Sequence, residues 1–163
     1  MANPEEQNTS QAQPQFAIQK IYVKDVSFET PNSPDVFTQE WKPEVNVELD
    51  SKGRLVNEDI HEIVLGVTVT AKFGDKVAFL AEIQQAGIFV IKNFQENDKA
   101  AMIGSYCPSL LFPFAREAIS DLVTKGGFPQ FLLQPVNFDA LYQQHLARVK
   151  NQNDADEGKE PVH

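Results

Sequence analysis

Two alternating runs joined by a Gly-Asp pair constrain this chain more than any other feature. Ile60–Phe73 (IHEIVLGVTVTAKF) sets Ile63, Leu65, Val67, Val69, Ala71 and Phe73 on one face. Its other face carries Glu62, Val64, Gly66, Thr68 and Thr70. Gly74-Asp75 is a two-residue hairpin signal. Lys76–Gln85 then resumes the period, with Val77, Phe79, Ala81 and Ile83 opposite Ala78, Leu80, Glu82 and Gln84. A hairpin of this pattern belongs to an antiparallel sheet.

The flanking segments extend the sheet and then leave it. Phe16–Glu29 predicts a strand of imperfect alternation, and Glu44–Leu49 a cleanly alternating one. Between them Thr30–Pro43 holds Pro31, Pro34 and Pro43, so it reads as a crossing loop carrying Phe37 and Trp41. Ser51–Asn57 reads as a turn on Gly53, and Gly66 as a bulge or a close backbone approach. Beyond Gly87 the pattern becomes helical. Asn97–Gly104 predicts a short helix, and Leu111, Ala115, Ala118, Ile119, Leu122 and Val123 mark a longer one. Pro108 suits its start, Pro113 bends or delays it, and Lys125-Gly126-Gly127 stops it. A last helix runs from an N-cap at Asn137, with Val136 and Leu141 as a staple, to about Lys150. Strands first and helices later define an α+β domain over 16–150, built on a four-stranded antiparallel sheet. The polar ends, 1–15 and 151–163, bury too little apolar surface to order and read as mobile tails.

Composition narrows the function. A net charge of −9 argues against nucleic acid and anionic membrane surfaces, and favours a basic protein partner. The amino-terminal residues lack the pattern of a signal peptide, and no stretch has the length of a membrane helix, so the reading is a soluble, cytoplasmic protein. One cysteine, Cys107, forms no internal disulfide; a small buried thiol at a helix start is its expected state. His61, His145 and His163 lack metal-ligand spacing, no phosphate-binding glycine loop is present, and no nucleophile has a matching base. Neither an enzyme nor a cofactor is expected. Twelve phenylalanines remain, many in Pro-broken segments such as Ser105–Phe114 and Gly126–Phe138. Large aromatics on irregular backbone suit the holding of another chain.

Several segments, in order, resemble the SecB family of protein-export chaperones: Ile21–Pro31 (IYVKDVSFETP), Trp41–Val45 (WKPEV), Val67–Ala71 (VTVTA), Phe79–Phe89 (FLAEIQQAGIF), Tyr106–Glu117 (YCPSLLFPFARE) and Gly127–Leu141 (GFPQFLLQPVNFDAL). PFARE followed by a Gly-Phe-Pro segment and PVNFDAL is the specific part. The resemblance implies a cytosolic chaperone without a nucleotide site. It would bind unfolded precursors, keep them translocation-competent, deliver them to the SecA ATPase, and assemble as a homotetramer, a dimer of dimers.

The resemblance also assigns residues. It places Phe28, Phe37 and Trp41 in the client groove. Phe112, Phe114, Phe128 and Phe131 join them as candidates by composition, with the packed core as the competing placement. It gives Asp25, Glu29, Leu80 and Glu82 to a patch for the basic, zinc-containing carboxy-terminal segment of SecA, the zinc being the partner's. Ala81, Ile83 and Gln85 match positions tied to subunit assembly. Two other readings compete: a SecB-like chaperone dedicated to one partner, such as a toxin–antitoxin pair, and a small α+β carrier or enzyme with an apolar pocket.

Overall fold

The computed structural model describes residues 12–157. Four antiparallel strands, β1 (Gln15–Glu29), β2 (Glu44–Asn57), β3 (Ile60–Phe73) and β4 (Lys76–Lys92), lie in the order β1-β4-β3-β2. The helices follow: α1 (Glu96–Ala101), one wide π turn (Met102–Tyr106), α2 (Cys107–Lys125) and α3 (Phe138–Glu157). Alternation decides what each sheet face carries. Inner residues Ile63, Leu65, Val67 and Val69 of β3 and Phe79, Ala81, Ile83, Phe89 and Ile91 of β4 form the core with Leu111, Ala115, Ile119 and Val123 of α2. Among the described residues, α2 packs on the inner face.

The hairpin turn falls at Gly74-Asp75, with Gly74 at φ 57 and Phe73 paired to Lys76. Two strands run longer than expected, for one physical reason. β2 continues through Ser51–Asn57, because Gly53 sits under Ile103, whose Cγ2 would lie 2.6 Å from an added Cβ. The turn falls instead at Glu58 and Asp59, between paired Asn57 and Ile60. β4 passes through Gly87 to Lys92, and there an added Cβ would meet Phe89 and Leu111. Gly66, paired with Asp50 without a register shift, is likewise a close approach, to the Asp50 carboxylate, and not a bulge.

Pro113 lies inside α2 without ending it. The amide missing at Pro108 would close a turn onto Gly104, and the π turn falls there. α2 ends as its sequence predicts: Gly127 adopts φ 88, its amide donates to Thr124 and that of Phe128 to Val123. The Asn137 Oδ1 accepts from the Ala140 amide at 3.0 Å and caps α3. α3 continues past Lys150 to Glu157, so the expected helix end moves by two turns. Of the expected tails, 1–11 and 158–163 lie outside the described residues.

Candidate functional site

At one end of the sheet the inner face meets the crossing loop. Asn32 anchors that loop by donating to the Val77 carbonyl at 2.8 Å, and one turn of 3-10 helix, Asp35–Thr38, buries Val36 and turns Phe37 outward. Phe128, 5% exposed, is the hub. Its ring lies 5.1 Å from Phe37, 5.2 Å from Trp41, 5.1 Å from Phe79 and 6.5 Å from Phe28. Trp41 also contacts Phe73, edge-on at 5.5 Å. Gly126 gives Phe28 room, since any Cβ there would collide with its ring. Phe37, 49% exposed, and half-buried Trp41 leave this aromatic cluster open to solvent. Apolar rings presented by a loop over a packed floor can take apolar side chains of many shapes.

The structure therefore brings together Phe28, Phe37, Trp41 and Phe128. It does not bring in the other candidates. Phe112 is buried against Phe138 at 5.6 Å, Phe131 packs on the core, and Phe114 stands exposed on α2. Phe73 and Phe79 belong to the cluster but were hidden in the sequence as ordinary inner-face strand positions. A second apolar cleft of about 640 Å³ lies between β2 and α3, lined by Leu49, Ile103, Phe138, Leu141, Tyr142 and Leu146 among others. The amphipathic spacing of Leu141, Tyr142 and Leu146 is the signal that could have found it.

The outer face is charged. Register places Glu29 beside Leu80, Ser27 beside Glu82 and Asp25 beside Gln84, so the four patch residues share that face. Ser27 Oγ donates to Glu82 at 3.3 Å. Across β3 the rows continue to Glu48 and Asp50 of β2, which widen the acidic band. Ala81, Ile83 and Gln85 point the other way. Ile83 is 1% exposed in the core, and Gln85 donates to the Tyr22 carbonyl at 3.1 Å. These side chains are enclosed by their own chain, so any bearing on assembly would run through the packing of β4.

Burial pushes the Cys107 thiol up to about 12, and the side chain is enclosed. Among the described residues no group of three His, Cys, Asp or Glu could hold a metal, and no helix is long and apolar enough to cross a membrane.

An α+β scaffold with a half-exposed aromatic cluster on one sheet face and an acidic band on the other has surfaces suited to binding polypeptide. Comparison with known proteins agrees. Residues 9–149 match the family model described as preprotein translocase subunit SecB. The chain is 63% identical over 134 residues to the protein-export protein SecB of Nitrosococcus oceani, covering 81% of this chain and 82% of that one. It is 53% identical over 153 residues to that of Marinobacter nauticus, covering 94% and 92%. A SecB-like chaperone of Mycobacterium tuberculosis, solved with an antitoxin peptide, shares the fold at TM-score 0.58 and 14% identity, over 74% of this chain and 90% of that one. The chain belongs to the SecB family of protein-export chaperones. The reading as a chaperone dedicated to a toxin–antitoxin pair is not favoured, because the high identities are to export proteins.

Proposed function

We propose that the chain binds unfolded precursors through the aromatic cluster and hands them to SecA, which docks by a basic segment on the acidic band. The observation that carries this reading is the half-exposed pair Phe37 and Trp41 over the buried Phe128. Apolar segments displayed by an unfolded chain, and hidden in a folded one, would replace water on these rings. The cleft beside α3 offers a second seat for the same client.

The acidic band of Asp25, Glu29 and Glu82, with Leu80 as its apolar contact, would attract a basic partner and speed its arrival. Assembly as a dimer of dimers in the cytoplasm completes the reading. Ile18, Val23 and Val26 leave the inner side of the β1 edge exposed, and Phe114 does the same on α2. Such apolar surface suits contact with a second copy.

The test separates the two surfaces. Charge reversal by Asp25→Lys and Glu82→Lys should weaken SecA binding at least tenfold, measured by titration calorimetry, with unfolded-client binding unchanged. Equal loss of both would contradict separate sites.

A further inference from the structure

The outer face is not uniformly acidic. Beyond Asp25 and Gln84 the next rows read Tyr22, Ala86, Val64, Lys52 and then Lys20, Ile88, Glu62, Arg54. Lys24 stands between them at a β1 irregularity. In a chain of net charge −9, three cations thus share two adjacent rows, with Lys24 beside them as a fourth.

This band is built, not scattered. Glu62, 7% exposed, accepts from Lys24 Nζ at 2.8 Å and from the Tyr22 hydroxyl, and lies 3.6 Å from Arg54 Nη2. One carboxylate from β3 therefore positions cations of both edge strands. Tyr22 reaches it across Ala86, whose small side chain leaves the ring room. Two cations against one carboxylate leave positive charge uncancelled. Lys20 and Lys52 add to it, and neither makes an ion pair among the described residues.

We propose that this cationic band is a second docking element, taking an acidic stretch of the same partner chain whose basic stretch lies on the acidic band. The inference rests on the reading of the acidic band as a partner dock. The two bands are centred about 17 Å apart along the strands, the reach of about five extended residues. A partner segment with a basic block and an acidic block at that separation matches both. Turned end for end, it would set like charge on like charge, so the face fixes the partner's orientation as well as its affinity.

Two labelled synthetic peptides, read by fluorescence anisotropy on the full chain, test this. One carries three lysines, a two-residue Gly-Ser spacer and three glutamates, which sets the block centres about five residues apart; the control has glutamines in place of the glutamates. The block peptide should bind about tenfold tighter than the control. That advantage should vanish in the double variant Lys20→Gln, Lys52→Gln, with control binding unchanged. If both peptides bind the natural chain equally, the cationic band is no dock and the acidic-band reading stands. If the advantage survives in the double variant, the acidic block sits elsewhere and the proposal fails. If neither peptide binds, the acidic-band reading falls and this inference with it. A single-stranded oligonucleotide that binds where the block peptide gains nothing would make the band a nucleic-acid contact and overturn the proposal.

Discussion

Phe128 and Phe37 touch each other and do different work. Phe128 is buried against four rings, so Phe128→Ala should lower stability by about 3–5 kcal/mol in denaturant unfolding. Phe37 is half exposed, and Phe37→Ala should cost only about 1 kcal/mol while weakening client binding several-fold. A larger stability loss at Phe37 than at Phe128 would reverse these roles. The prolines of the crossing loop marked Phe37 and Trp41 as aromatics outside any strand. No such signal separated Phe128, which shares the cluster, from Phe112 and Phe131, which serve the core; that division is set by helix packing and not by spacing.

At the level of the element, turn and cap chemistry was legible and glycine inside a strand was not. Gly74, Gly127 and Asn137 act locally, through φ or a side-chain hydrogen bond, and their neighbours disclose them. Gly53 and Gly87 act through Ile103 and Leu111, distant in sequence, and so look like strand ends. Asn137→Ala should cost about 1 kcal/mol, measured as a fall in Tm, through loss of the α3 cap. β3 also carries the acid sensitivity. Burial foremost, with Lys99 as a lesser cause, lowers the His61 pKa below 6.5, so the fold excludes a proton that the unfolded chain takes up. Stability should hold above pH 6.5 and decline as pH falls from there towards the folded value. The Glu62 carboxyl is held below 4.5, chiefly by the Lys24 hydrogen bond and then that of Tyr22. Its contribution is present above pH 4.5 and lost on acidification through the lower folded value. His61→Gln should remove the first decline in a Tm profile and leave the second; an unaltered profile would acquit His61.

Over the whole molecule, the two surfaces are consequences of one alternation. Phe28 lies between Ser27 and Glu29, and Phe79 and Ala81 flank Leu80, so the same stretches of β1 and β4 supply aromatics inward and carboxylates outward. On the proposed reading, client and partner would meet opposite faces of a single sheet, so that one could be held while the other docks. The sheet and its pattern were readable because a period of two fixes both faces at once. The cationic band was not, since it is assembled from β1, β2 and β3 by register, and Lys20, Lys24, Lys52 and Arg54 are unremarkable in a row of letters.

The central claim is that the aromatic cluster receives unfolded chain. Trp41 is the only tryptophan and lies 5.2 Å from the Phe128 ring, so its emission reports on that cluster alone. A reduced, unfolded precursor lacking tryptophan should shift and saturate the Trp41 emission, and the same precursor in its folded form should leave it unchanged. An emission that ignores the unfolded precursor while binding is seen by light scattering would place the client elsewhere and contradict the account.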